Sequence, residues 1–432
     1  MTLKELLDNE KYIYNAFIEA KKNRNGKMPT LNFENNLITN LDKLRQELLT
    51  KTYKIRKYTE FKVYEPKERT VLACSFRDKT VQHLICDNII VPLFENACIL
   101  DNYSGQNEKG TAFAINRTKE IVTDYENKFG GNGYIVRVDA MKYYYNIDHK
   151  IAKRIIHKRL EGHEDIFWLV DMFIDSTDYI TDDSYKEGVG LALGNQINTI
   201  ISNMYLAELD DYVKNEMRIE HYARYADDLY AITNSKEDAI TIYKKIESFM
   251  LNELKLRLNG KSQIMPFKNG LKFIGFHFYV KNGQITIKRD NSKKREYRRK
   301  FNKMLKLVYT RKIDITKLLN SYEGWREYTK TVTDHSIFEY YDKKISEVVC
   351  KMTIENGYYV AECMSNILPV SRMEVDTFYL PINIQKKEDN NYYYEEYRFN
   401  LPITYKFPKE ILEYMAKTLD EYRLSLEEVG VV

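Results

Sequence analysis

Apolar residues along this chain keep two different spacings, and the switch between them marks out its parts. Leu3, Leu6 and Leu7, then Leu37, Leu41 and Leu44, fall at helical spacing, so residues 1 to about 60 are predicted to be helices with one apolar face each. The same spacing returns over Glu237–Leu258, where Ile240, Tyr243, Ile246, Phe249, Met250 and Leu254 predict a helix crossing a sheet. Between these lies a different pattern. A glycine-rich turn (Gly130, Gly131, Gly133) feeds Tyr134–Val138, a short apolar run that reads as a buried strand ending in Asp139 and followed by helix. Arg224–Tyr230 reads as a β-hairpin with Asp227 and Asp228 at its tip. Further on, Phe301–Val308 and Leu318–Trp325 read as amphipathic helices. Thr377–Ile384 and Tyr392–Leu401 read as strands joined by a polar loop over 385–391, with Pro381 favouring an edge position, and Lys409–Leu426 reads as a last helix. No repeat at a solenoid period occurs. The class is α+β.

An Asp-Asp pair taken alone is most often a polar turn. Here it sits between apolar and aromatic residues, where two like charges within a few ångströms need a cation. A strand carrying Asp139 beside that hairpin would make three converging carboxylates. Oxygen ligands suit Mg²⁺, and three of them can hold two such ions about 4 Å apart. That arrangement performs nucleotidyl transfer: one side activates an attacking 3′-hydroxyl and the other stabilises leaving pyrophosphate.

Composition narrows the setting. At 432 residues the chain can hold more than one subdomain. No apolar stretch approaches the ~20 residues of a membrane span, and the acid-bearing N-terminus lacks a signal-peptide core, so a cytoplasmic protein with no membrane partner is expected. Five scattered cysteines without a Cys-x-x-Cys pair argue against a zinc ribbon or a disulfide framework, and His163-Glu164 lacks the second histidine of a zinc-protease helix. The net charge of +4 says little, but Lys288–Lys300 concentrates eight basic residues against two acidic ones. A run like that is commonly a solvated helix face; it also suits phosphate contact.

Several segments in order resemble the reverse transcriptase family. Tyr225-Ala226-Asp227-Asp228 is similar to its catalytic box, and Asp139 through His149 (DAMKYYYNIDH) to the preceding box. Phe61–Arg69 and Ser75–His83 resemble the fingers segments, and Asn102–Gly105 with Gly110–Ala112 also fits. Gly190–Leu206 with Leu209-Asp210, Leu258–Lys261 and Phe273–Phe276 resemble the rest of the palm. The likeness spans roughly residues 12 to 345. It is nearest to compact bacterial enzymes of the diversity-generating, abortive-infection and unknown-group phage-defence types. Asn198-Thr199 stands where diversity-generating enzymes carry Ser-Gln, and Ala192 where they carry Pro.

The resemblance implies a right-hand polymerase: N-terminal helices and fingers over 1–133, a palm with an antiparallel sheet over 134–288, a helical basic thumb over 289–349, and a C-terminal extension over 350–432. It implies two Mg²⁺ ions on Asp139, Asp227 and Asp228, and Lys261 as the proton donor to pyrophosphate. Lys67 and Arg69 would contact the triphosphate, Tyr144 would exclude a ribose 2′-hydroxyl, and Gly194, Asn195 and Gln196 would shape the nucleotide pocket. Arg295, Arg298 and Arg299 would grip the RNA–DNA duplex, and Arg224 would support the hairpin or serve an ion pair. The implied partners are deoxynucleotides and a template, expected to be a structured non-coding RNA in antiphage defence, with homo-oligomerisation left open. A diversity-generating role, untemplated synthesis and an idle nucleic-acid scaffold are the competing readings, though three repelling carboxylates have no use on an idle palm. The 36 tyrosines also leave room for priming on a protein hydroxyl.

Overall fold

The computed structural model describes residues 1–64, 68–178, 180, 185–281, 284–310, 312–333 and 337–345, and the backbone of two strands within 382–397. The chain forms two compact units, 1–285 and 286–432. The first opens with four helices: α1 (Leu3–Asp8), α2 (Glu10–Lys21), α3 (Met28–Glu34) and α4 (Leu37–Leu49). Thr2 starts α1 with a reciprocal capping box to Glu5, which satisfies N–H groups that the first turn leaves unpaired. Leu41 and Leu44 on α4 are buried as their spacing predicts, with Leu37 half-buried at the edge of the same core. A hairpin of β1 (Thr59–Val63) and β2 (Arg69–Ala73) follows, then α5 (Phe76–Ile85), α6 (Val91–Ala97) and α7 (Thr111–Phe129).

β3 (Tyr134–Asp139) begins the central sheet, and α8 (His149–Arg159), α9 (Phe167–Ile174) and α10 (Gln196–Asp211) come next. The hairpin β4 (Tyr222–Tyr225) and β5 (Asp228–Thr233), then α11 (Lys236–Asn252) and β6 (Gln263–Pro266), complete it in the order β4-β5-β3-β6. Every pairing in it is antiparallel. Ile135, Val136 and Val138 on β3 are buried, each contributing roughly 1.5–3 kcal/mol by leaving water.

Two expectations change here. The helix predicted over 237–258 ends at Asn252, because Lys255 takes a left-handed conformation (φ 53°) that a helix cannot hold, although Leu254 and Leu256 still reach the core. Ile240, counted in its apolar face, is exposed; Ile246 and Met250 are buried as expected, and Ala239 and Ile242 join them.

β7 (Leu271–Phe273) pairs antiparallel with β8 (Phe276–Lys281), and β9 (Gln284–Arg289) carries the chain into the second unit. There α12 (Asn291–Tyr309) and α13 (Ile315–Thr329) pack through aromatic rings, with Tyr297 stacked on Trp325 at 4.2 Å between centroids. β10 (Ile382–Glu388) and β11 (Asn391–Tyr397) form an antiparallel hairpin. The polar loop expected over 385–391 is therefore mostly strand, Gln385–Lys387 pairing with Tyr392–Tyr394, residue types that favour a pleated sheet on one side. Residues 377–381 and 398–401 of the two expected strands, and the helix expected over 409–426, lie outside the described residues. No helix among the described residues is long and apolar enough to cross a membrane.

Candidate active site

The central sheet brings the three carboxylates to one end. Asp139 closes β3 and Asp228 opens β5, and the two are direct partners in the antiparallel register. Asp227 occupies the two-residue turn Ala226–Asp227 between β4 and β5. Ala226 adopts φ 53°, a conformation costly for any residue with a Cβ. Arg224 offsets that cost by donating from Nη1 to the Ala226 carbonyl at 3.0 Å.

Arg224 is itself fully buried. Its Nε donates to both oxygens of Asp210 at 2.8 and 3.0 Å, its Nη2 to Asp210 Oδ2 at 2.5 Å and to the Asn203 carbonyl at 3.2 Å. Tyr222 adds a hydroxyl bond to Asp210 at 2.7 Å. Both roles read for Arg224 from the sequence thus hold together: it braces the hairpin through an ion pair to α10.

Burial, then the Asp139 carboxylate, push Asp227 up to about 6. Arg69 on β2 is near enough to pull it the other way. Asp228 is likewise raised by burial and by Asp139, and lowered by Arg137. Arg137 lies two residues before Asp139 on the same face of β3, and its Nε and Nη2 each bond one oxygen of Asp228 at 3.1 Å. The three carboxylates do not have one oxygen each gathered within 4.8 Å of the others, as happens elsewhere among the described residues. Asp228 lies instead on the guanidinium. An all-oxygen donor set with raised carboxyl pKa values fits a hard divalent cation, whose charge would relieve the repulsion that Arg137 relieves in part.

Three positioning contacts have no signature in local sequence. Asn259 donates from Nδ2 to Asp139 Oδ2 at 3.2 Å and from its backbone N–H to the Asp139 carbonyl at 2.7 Å. Ser262 accepts from the Asp139 N–H at 3.1 Å and donates to its carbonyl at 3.2 Å. The Ile274 N–H bonds Asp228. The motifs Leu258–Lys261 and Phe273–Phe276 pointed to these turns without giving the contacts. Lys261 is exposed on the Asn259–Ser262 turn, its backbone N–H on Asn259 Oδ1 at 3.2 Å.

Tyr144 is half-buried, its hydroxyl 3.1 Å from Ser202 Oγ and its ring edge-on to Tyr143. Gly194 has φ 111°, and a Cβ there would meet Val71 Cγ1 at 2.7 Å, so the chain passes β2 closely only because no side chain is present. Asn195 is buried at the N-cap of α10, and Gln196 turns its amide to Asp87 Oδ1 at 2.7 Å. Asn198, the departure noted above, donates to the Ala192 carbonyl at 3.1 Å and closes this loop. Lys67 lies outside the described residues. In the second unit Arg295, Arg298 and Arg299 are exposed on α12, with Arg298 over the Tyr340 ring.

Residues 55–278 match the model of the family described as reverse transcriptase (RNA-dependent DNA polymerase), just over half of the chain and including Asp139, Asp227 and Asp228. The chain belongs to the reverse transcriptase family. The group II intron-encoded protein LtrA of Lactococcus lactis subsp. cremoris is 24% identical to this chain, over 71% of the chain and 62% of that protein's own length. Among solved structures, apo telomerase from Candida tropicalis covers 76% of the chain and 65% of its own at 14% identity, TM-score 0.43. Telomerase from Candida albicans with a fragment of telomeric RNA covers 75% and 67% at 11% identity, TM-score 0.41. The right-hand polymerase fold is carried by the family match and by the antiparallel palm sheet.

Proposed function

We propose that this chain is an RNA-directed DNA polymerase that extends a DNA 3′-end by two-metal nucleotidyl transfer, and that it copies a dedicated structured RNA in antiphage defence. The observation that carries the chemistry is the register of Asp139 on Asp228, with Asp227 raised to about 6 on the intervening turn. Two Mg²⁺ ions held by these three residues would activate the 3′-hydroxyl and stabilise the developing pyrophosphate charge. Arg69, with Lys67, binds the triphosphate. Tyr144 closes against the sugar edge where a 2′-hydroxyl would clash, which selects deoxynucleotides. Gly194, Asn195 and Gln196 shape the base-pair pocket, and Lys261 delivers a proton to the leaving pyrophosphate. Arg295, Arg298 and Arg299 hold the phosphates of the template–product duplex. On this reading 1–133 act as fingers, 134–288 as palm, 289–349 as thumb and 350–432 as an extension, in a cytoplasmic enzyme.

The defence setting and the template are tested together. The protein is purified with its bound RNA, given four deoxynucleotides and Mg²⁺, and the RNA and DNA products are sequenced. DNA complementary to one enriched structured RNA supports the reading. Homopolymer unrelated to that RNA replaces it with untemplated synthesis, and mutated copies of a repeat template replace it with a diversity-generating role.

A further inference from the structure

We propose that His149, Asp175 and Asp178 form a separate cation site, built for a divalent first-row transition ion. The Ile147-Asp148-His149 stretch ends the motif that carries Asp139, yet His149 takes no part in the site above. It begins α8, whose N-cap is Asp148, and it is only 3% exposed. Its Nε2 lies 2.7 Å from the Gly190 carbonyl, a contact that requires the proton on Nε2. Nδ1 is then left facing Asp175 Oδ1 at 3.3 Å and Asp178 Oδ1 at 3.6 Å, and it has no hydrogen-bond partner among the described residues. Two carboxylate oxygens facing one buried ring nitrogen call for positive charge between them, from a second ring proton or a bound cation, and because Nδ1 makes no hydrogen bond to either oxygen the geometry favours the cation.

The spacing says which cation. Ligand atoms about 2.0–2.2 Å from a tetrahedral ion stand roughly 3.3–3.6 Å apart, the range in which both measured separations fall. An imidazole nitrogen with two carboxylates suits zinc or a neighbouring transition ion better than Mg²⁺. The surroundings match what orients such ligands elsewhere. A backbone carbonyl holds the far side of the imidazole, and Thr177 Oγ1 donates to that carbonyl at 2.7 Å. Lys153 Nζ takes Asp175 Oδ2 at 2.6 Å, leaving Oδ1 for the ion, and the Gly188 N–H holds Asp178 Oδ1 at 2.8 Å. The Asp175 side chain is 37% exposed, so one face stays open for water as a fourth ligand. An ion here ties the start of α8 to the end of α9 and to the 188–190 turn that leads into Gly194 and Asn195. The cluster of Asp124, Glu220 and His221 is different, because Lys128 already bonds Asp124 and Glu220 in the open.

The test uses the full chain carrying Asp227→Asn and Asp228→Asn, so that ions at the polymerase site are not counted. Stripped protein is titrated with zinc chloride at fixed pH, and bound zinc and thermal midpoint are measured. About one zinc per chain is expected, with a raised midpoint and no displacement by millimolar Mg²⁺. His149→Gln and Asp178→Asn should each weaken zinc binding at least about tenfold, whereas His221→Gln should not. Two variants are used so that misfolding of one, seen by circular dichroism, does not decide the matter. Absence of stoichiometric zinc overturns the proposal, as does loss in His221→Gln with retention in the other two. A midpoint that rises as pH falls but ignores zinc also overturns it.

Discussion

Asp227 poses the sharpest electrostatic problem among the site residues, and its consequences can be measured without any substrate. Its carboxyl titrates near 6 in the folded chain and near ~3.9 when unfolded. Between those values the folded protein binds a proton that the unfolded chain does not, so metal-free stability falls as pH rises from about 4 to about 6 and stays lower above. Mg²⁺ should therefore raise the thermal midpoint more at pH 8 than at pH 5, as differential scanning fluorimetry would register. Asp227→Asn should flatten that pH dependence, stabilise the metal-free protein at pH 8, and still cut incorporation roughly a thousandfold or more. A variant that loses stability instead would contradict the account. Arg137→Gln should raise the Asp228 pKa further, moving the acid limb of the pH–rate profile to higher pH. The carboxylates were legible in sequence because each sits at an abrupt change of pattern. Arg137 was not, because it reads as one more position in an apolar strand; only the pairing of β3 with β5 reveals its role.

At the scale of elements, the hairpin and its brace behave as one device. Arg224→Met leaves Asp210 buried without its partner, which should cost about 3–5 kcal/mol in urea denaturation. Asp210→Asn with Arg224→Met should recover part of that loss, since both charges are then gone. Gly194→Ala would push Val71 on β2 and ask alanine for φ 111°, displacing the strand that presents Arg69. A rise in deoxynucleotide KM on the order of ten- to a hundredfold is expected, with a smaller change in kcat. Helix and strand types were readable from spacing for α1, α4, β3, the β4–β5 hairpin and α11. What spacing could not give were the turns: Ala226 and Lys255 take left-handed conformations without being glycine, and Asn259 and Ser262 act on Asp139 from 120 or more positions away.

For the whole molecule, the modest net charge makes duplex binding a matter of placement. Arg295, Arg298 and Arg299 all stand exposed on α12, and Arg298 also lies over the Tyr340 ring. Arg295→Ala with Arg299→Ala should lower the salt dependence of RNA–DNA affinity by about two ions, read as the slope of log Kd against log salt. Arg298→Ala should weaken duplex binding and also lower the stability of the second unit. The C-terminal hairpin was foreseen in kind but not in extent, because the glutamine and lysines late in its first strand read as loop ahead of the tyrosine-rich second strand.

The central claim is that Asp139, Asp227 and Asp228 make DNA on an RNA template. Primer extension on a defined RNA–DNA hybrid with Mg²⁺ tests it directly, comparing the native chain with Asp139→Asn. The account predicts template-complementary DNA from the native protein and none from the folded variant. Equal synthesis by both, or products that ignore the template sequence, would contradict it.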